Sequence, residues 1–156
     1  MTIDDSLREK LENFAIFDGL SPEELGDVML CGRQSHFKAG EMIIEESSES
    51  WDLYVVLSGR ISIEMAVRGN SPQSQRSKQI AMFRKGEVFG DMAFLRGARR
   101  SASVTTVDDF SAIVFDRDRL YGLFDENNRI GYIMVRNLAR IMSDRLMGLN
   151  LMLRDC

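Results

Sequence analysis

The chain has 156 residues, 44% of them apolar and 28% charged, which fits one ordinary globular domain and argues against both disorder and a multi-domain enzyme. Lys and Arg number 20 against 24 Asp and Glu, a net charge of −4, the opposite of the basic balance expected for direct nucleic-acid binding. The longest unbroken apolar run, Leu53 to Leu57, is far short of the roughly 20 residues of a membrane span, and the acidic Met-Thr-Ile-Asp-Asp-Ser start lacks a signal-peptide pattern, so a cytoplasmic location is expected.

In chain order, Leu7, Leu11, Phe14 and Ile16 recur at near-helical spacing. Ser21-Pro22-Glu23-Glu24 then supplies a capping Ser, Pro at the first helical position and Glu three residues on, so a second helix is predicted from there to Cys31-Gly32, with the Gly as terminator. From Gln34 the period changes to two. It is clearest where Ile61, Ile63, Met65 and Val67 alternate with Arg60, Ser62, Glu64 and Ala66, which predicts one buried face. Glu41–Glu46, Asp52–Leu57, Ile80–Arg84, Ser101–Val107 and Phe110–Phe115 are further strand candidates, punctuated by Gly40, Ser58-Gly59, Gly86 and Asp108-Asp109. Arg68 to Gln79 is polar and without period, and reads as an exposed hairpin loop.

Phe37-Lys38-Ala39-Gly40-Glu41 and Phe83-Arg84-Lys85-Gly86-Glu87 repeat one pattern, Phe, basic, any residue, Gly, Glu, which predicts the same turn used twice. After Phe115, Asp116 can cap a short helix through Phe124. A long helix from about Arg129 to Arg154 follows, with Val135, Leu138, Met142, Leu146, Leu149 and Leu153 on its apolar face and Met134, Ile141 and Met152 widening the stripe. The expected fold is mainly β: a sandwich, barrel or jelly roll of about eight short strands, flanked by helices at both ends. The division is a helical segment 1–33, a β-roll 34–115 and C-terminal helices 116–156, within one domain.

Most enzyme chemistries need residue types that are scarce here. His36 is the single histidine and lies before a strand without a carboxylate pattern, so a metal site or a Ser-His-Asp triad has little to stand on. A Cys31 nucleophile paired with His36 lacks any recognisable oxyanion element. Cys31 and Cys156 have no CxxC spacing and read as two free thiols. Neither GxxxxGK followed by Ser or Thr nor GxGxxG occurs. No metal and no cofactor are expected.

The informative stretch is 86–104, Gly-Glu-Val-Phe-Gly-Asp-Met-Ala-Phe-Leu-Arg-Gly-Ala-Arg-Arg-Ser-Ala-Ser-Val. Gly90 allows positive φ or close ligand approach, and Asp91-Met92-Ala93 can begin a short helix whose first N–H groups are free. Arg100, opening the next strand, adds a planar, permanently charged fork suited to phosphate oxygens. Arg96 and Arg99 read as solvated loop charges.

These residues resemble the cyclic-nucleotide-binding domain shared by protein kinase A regulatory subunits, catabolite-activator transcription factors and gated channels. The resemblance runs from about Phe17 to the final helix. Phe17-Asp18-Gly19-Leu20-Ser21 and Phe37 to Ile44 look like the family's opening and first turn, and Leu53 to Ile63 like its paired strands around Ser-Gly. The phosphate-binding cassette, Phe-Gly-Glu, apolar, Ala, then Arg before small residues, is matched at Phe89, Gly90, Met92, Ala93, Arg100, Ser101 and Ala102. The resemblance implies that Arg100 pairs with the cyclic phosphate of cAMP or cGMP and that backbone N–H groups around Met92, Ala93 and Ser101 complete its cradle. Asp91 stands where the family usually has Glu on the ribose 2′-hydroxyl. The shorter carboxylate either reaches the ribose through a shift or a water, or acts as the helix N-cap.

By the same resemblance the protein is a non-enzymatic switch whose C-terminal helix moves as a lid, with Met142 and Arg145 placed near the base. Output then passes to an unknown effector, a further chain segment or a dimer. The heptad-like spacing from Val135 to Leu153 predicts a homodimer through that helix. A degenerate domain serving as a dimerising or docking scaffold without nucleotide is the alternative.

Overall fold

The computed structural model describes residues 4–68 and 75–154. Helix α1 (Asp5–Glu12) starts where the Asp4 carboxylate accepts the Leu7 amide at 2.7 Å, and a 3₁₀ turn (Ala15–Phe17) follows. Helix α2 (Pro22–Met29) opens with the predicted reciprocal cap: Ser21 Oγ accepts the Glu24 amide at 3.1 Å and Glu24 Oε1 accepts the Ser21 amide at 2.9 Å. It ends at Leu30. Gly32, expected as its terminator, is instead the first residue of a strand, where a Cβ would lie 2.9 Å from the side chains of Ile113 and Phe115. That glycine serves packing rather than helix termination.

Eight strands follow: β1 (Gly32–Phe37), β2 (Met42–Ile44), β3 (Leu53–Ser58), β4 (Ile61–Arg68), β5 (Gln75–Phe83), β6 (Val88–Phe89), β7 (Ser103–Thr106) and β8 (Phe110–Phe115). They form two antiparallel sheets, ordered β1-β8-β3-β6 and β2-β7-β4-β5, facing each other as a β-roll. Between β6 and β7 lies a short helix, α3 (Asp91–Arg96), and the chain closes with α4 (Arg117–Glu126) and α5 (Asn128–Arg154). Asp116 caps α4 through the Arg119 amide at 2.9 Å, as expected.

Strand β8 is buried on both faces, which explains its nearly continuous apolar sequence. Phe110 and Ala112 join Ile44, Val56, Ile61, Ile63, Phe89 and Val104 inside the roll. Ile113 and Phe115, with Leu53 and Val55 of β3, instead meet the helices on the outer face. That helical layer draws both ends of the chain together. Phe17, Leu25, Val28 and Met29 pack with Leu120, Ile130, Met134 and Leu138, while Asn137 Nδ2 donates to the carbonyls of Ile16 (2.8 Å) and Asp18 (2.9 Å).

The repeated pattern does build the same turn twice. Gly40 and Gly86 take φ of 80° and 88° at the third turn position, and the turns close from Glu41 N to Lys38 O and from Glu87 N to Arg84 O. Each Glu then folds back: Glu41 Oε2 accepts the Lys38 amide at 3.0 Å, and Glu87 Oε2 accepts the Arg84 amide at 2.8 Å.

Other expectations need correction. Strands β1 and β6 carried too little alternation to be proposed individually. Strand β2 is confined to Met42–Ile44, because the chain then turns out through Ser47, whose φ is +68°. Strand β5 begins at Gln75, inside the stretch assigned to a loop: residues 75–79 pair with 64–68 beyond the body of the roll, where no core imposes an apolar period. Residues 69–74 lie outside the described residues. The register shifts between Ile63 and Glu64, and beyond that bulge Met65 and Val67 are exposed rather than buried. On α5, Leu138 belongs to the helical core and Val135 is exposed, so the proposed coiled-coil seam is not one uniform face. Among the described residues no helix is long and apolar enough to cross a membrane.

Candidate functional site

The inner face of the second sheet, the segment from Phe89 to Ala102 and the underside of α5 enclose a cavity of about 600 Å³. All ten candidate residues line it: Phe89, Gly90, Asp91, Met92, Ala93, Arg100, Ser101, Ala102, Met142 and Arg145. Their chain separation is bridged by folding the β6–α3–β7 connection under α5.

At the closed end, Phe89 stacks on Tyr54 with ring centres 4.7 Å apart and forms the floor. Gly90 follows in the left-handed region at φ +78°. A Cβ there would fall 2.6 Å from Arg100 Nη1 and 2.8 Å from Asp52 O, so both conformation and space require glycine. This αL residue is the cap of α3, and the helix has no side-chain cap bond. The capping role considered for Asp91 is therefore overturned: Asp91 is the first helical residue, only 9% exposed, and directed into the cavity.

Arg100 is 4% exposed. It does not open a strand, since β7 begins three residues later; it sits in a loop clasped to the β2–β3 connection through Arg100 N to Ser48 O and Ser47 N to Arg100 O, each 2.9 Å. Its guanidinium donates from Nε to Ser50 Oγ (3.0 Å), from Nη1 to Gly90 O (3.1 Å) and from Nη2 to Asp52 O (2.9 Å), and lies 5.9 Å from the centre of the Tyr54 ring. All three acceptors are uncharged, and among the described residues no carboxylate is within ion-pairing distance of it. Burial pushes the guanidinium below the ordinary arginine value, against the pull of Tyr54 and of the more distant Asp52 and Asp91. It stays protonated even so. Burial likewise pushes the Tyr54 hydroxyl above its ordinary value, which keeps that ring neutral.

Most of the remaining lining is apolar. Ile44, Ile63, Ile80, Ala81, Phe83 and Val104 make its walls, and Ala139, Met142, Leu146 and Leu149 its roof. Met92 is half-exposed at the rim, where Ser101 Oγ donates to its sulfur at 3.8 Å. Arg145 reaches down from α5 over the Phe83 ring, 4.1 Å from its centre, with Nη1 3.5 Å from Asp91 Oδ1 and Nη2 donating to Val88 O. The site thus couples a cationic end at Arg100 to a mostly apolar chamber.

Several contributors were not foreseen. Ser50, the Asp52 and Val88 carbonyls and Tyr54 act through position or backbone, which leaves no motif, and Phe83 was read only as part of a strand and the turn after it. Arg99 lies outside on the surface, paired with Glu49 at 2.9 Å. The Cys31–His36 pair does not form: the buried Cys31 thiol donates to Arg119 O at 3.6 Å, and His36 is exposed on β1. Burial raises the Cys31 thiol above its ordinary value, the reverse of an activated nucleophile. Among the described residues no cluster of His, Cys, Asp or Glu is suited to a metal ion.

The sequence profile of the cyclic nucleotide-binding domain matches residues 34–127, from β1 through α4. The chain is 24% identical over 140 residues to cGMP-dependent protein kinase 2 of Mus musculus, covering 86% of this chain and 18% of the kinase. It is 24% identical over 132 residues to the CRP-like cAMP-activated global transcriptional regulator of Mycobacterium tuberculosis, covering 85% of this chain and 57% of the regulator. The crystal structure of the catabolite activator protein of Thermus thermophilus superposes with a TM-score of 0.75 at 26% identity, over 90% of this chain and 62% of that one. A cyclic nucleotide-binding domain from Methylobacillus flagellatus shares the fold at a TM-score of 0.85 and 20% identity, over 97% of this chain and 85% of that one. Profile, β-roll and cassette agree: the chain belongs to the cyclic nucleotide-binding domain family, whose domain is a regulatory rather than a catalytic unit.

Proposed function

We propose that this protein is a non-enzymatic sensor that binds cAMP or cGMP in the cavity and passes the change on through α5. One observation carries the reading. Arg100 is a permanent positive charge, nearly fully buried, held only by neutral acceptors, with two of its five N–H groups uncommitted beside the first turn of α3. A buried cation without a compensating carboxylate is costly unless an anion completes the site. A cyclic phosphate supplies one negative charge, and the apolar chamber beyond accommodates a purine.

In this reading Phe89 and Gly90 shape the floor, Met92, Ala93 and Ser101 offer backbone N–H groups, Ala102 keeps the approach open, Asp91 takes the ribose hydroxyl and Met142 with Arg145 faces the base. The helical segments 1–33 and 116–156 work as one unit against the roll 34–115. A cytoplasmic place and action through an effector protein or a homodimer, without direct DNA contact, fit the net charge of −4. Leu146, Met147, Leu149, Leu151, Met152 and Leu153 are all more than half exposed at the end of α5, which favours a dimer and also keeps the scaffold reading in play.

Titration calorimetry with cAMP and cGMP on nucleotide-stripped protein decides between sensor and scaffold. Arg100→Leu is expected to weaken binding by about a hundredfold, the effect of losing a desolvated charge pair. Absence of heat with either nucleotide at millimolar concentration leaves the scaffold reading.

A further inference from the structure

We propose that the turn at Gly40 is a docking surface for a basic amphipathic helix of a partner protein, a face that the chain's own N-terminal segment covers on the equivalent turn at Gly86. The two turns match in their attachment as well as in their sequence. Gly40 N donates to Thr106 O and Thr106 N to Glu41 O, while Gly86 N donates to Val56 O and Val56 N to Glu87 O, all at 2.9 Å. Position for position, Met42 therefore corresponds to Val88, and Val107 to Leu57. Phe37 and Phe83 correspond as well, both packing against the interior of the roll.

What differs is the cover. At the second turn Val88 and Leu57 are 0% and 8% exposed, in one cluster with Leu11 of α1 and Phe14 just after it. A Cβ on Gly86 would lie 3.3 Å from the Phe14 ring, whereas one on Gly40 would meet nothing within 4 Å among the described residues. At the first turn Met42 and Val107 are 56% and 38% exposed, and a cleft of about 920 Å³ opens there, lined by residues 36–41, Ser58 and residues 109–111. Singly exposed apolar side chains are ordinary. A matched pair at the equivalents of two buried positions, around an open glycine turn, is a face of the kind that this molecule itself covers with Leu11 and Phe14.

Charge selects the helix that fits. The second turn carries Arg84-Lys85 with Glu87, a net positive set, and its cover from Asp4 to Phe14 has four carboxylates against two basic groups. The first turn has Lys38-Ala39 with Glu41, and Asp108-Asp109 stands where the second has Ser58-Gly59. Asp108 is paired with Arg60, while Asp109 commits Oδ1 to the Ala39 amide at 3.2 Å. Lys38 then stands against Glu41 and Asp109, the balance is reversed, and the complementary cover is basic.

The probe is a fluorescein-labelled peptide copying residues 4–18 with Asp5→Lys, Glu9→Lys and Glu12→Lys, stapled on its polar face so that the helix does not have to form on binding. Anisotropy should show saturable binding to the whole chain below millimolar concentration, with amide shifts in the protein centred on residues 37–42 and 106–110. Met42→Ser combined with Val107→Ser should weaken it about tenfold, and a stapled peptide keeping the native charges should bind about tenfold less tightly. Absence of binding overturns the proposal. So do shifts centred on residues 83–89, where the native cover sits, equal affinity of the two peptides, or no loss in the double variant. Wild-type self-association in sedimentation that the double variant abolishes would make a second copy the occupant and also overturn it. No arm uses a nucleotide, so failure here is separate from failure of the sensor reading.

Discussion

Helix α5 has two halves of similar apolar content and opposite circumstances. From Asn128 to Leu138 it is built into the core: Ile130, Ile133, Met134 and Leu138 are buried, Asn137 holds the 3₁₀ turn, and Arg129 pairs with Glu24 at 3.2 Å. From Met142 onward Leu146 and Leu149 face the cavity yet remain 58% and 52% exposed, and Arg145 is the polar tie to the roll. The first half is an anchor, and the second lies over the cavity with little burial. The difference shows that a heptad-like stripe reports which face of a helix is apolar, and leaves open what covers it.

The largest expected break in this comparison comes from truncating the anchor. Leu138→Ala should cost about 3 kcal/mol by leaving a cavity in the helical core, whereas Leu149→Ala should stay within about 0.5 kcal/mol. Urea denaturation monitored by circular dichroism measures both, and equal losses would dissolve the distinction. Asn137→Leu should come next, at about 2 kcal/mol, since the carbonyls of Ile16 and Asp18 would lose their buried donor. Amide exchange over residues 14–20 should rise in that variant without a matching rise at the end of α5.

Smaller effects sharpen the picture. Ser21→Ala removes one arm of the α2 cap and should cost about 1 kcal/mol. Glu24 serves that cap and Arg129 together, so the loss should couple to Arg129→Ala in a double-mutant cycle, while Leu149→Ala should add independently. The smallest effect is a pH dependence at Cys31. Burial raises its thiol pKa in the folded state, so its contribution to stability is present below the ordinary thiol value and is lost as pH rises through the raised one. In a Cys156→Ser background, stability should therefore fall more steeply above pH 9 than in the same protein carrying Cys31→Ala. Identical curves would place the thiol in water rather than in the anchor.

Much of the molecule was legible because its signals act over a few residues. The Ser21–Glu24 cap, the Asp116 cap, the two Phe-basic-x-Gly-Glu turns and the cassette around Gly90 and Arg100 each follow from local hydrogen bonding or from a φ that only glycine adopts readily. Together with the period-two stretches, their residue types pointed to a mainly β body between helical ends and singled out Arg100. What tertiary structure decided is everything that depends on the segment opposite. Gly32 is small because Ile113 and Phe115 cross it, Gln75–Gln79 is a strand because residues 64–68 pair with it, and Met65 is exposed because the register shifts after Ile63. The same holds in the site, where Arg100 is aimed by a serine hydroxyl and two carbonyls from distant loops, and Asp91 is a cavity carboxylate because Gly90 takes the cap and Arg145 descends to meet it. Backbone acceptors are common to every residue, so only the folded path of the chain determines which of them a side chain meets.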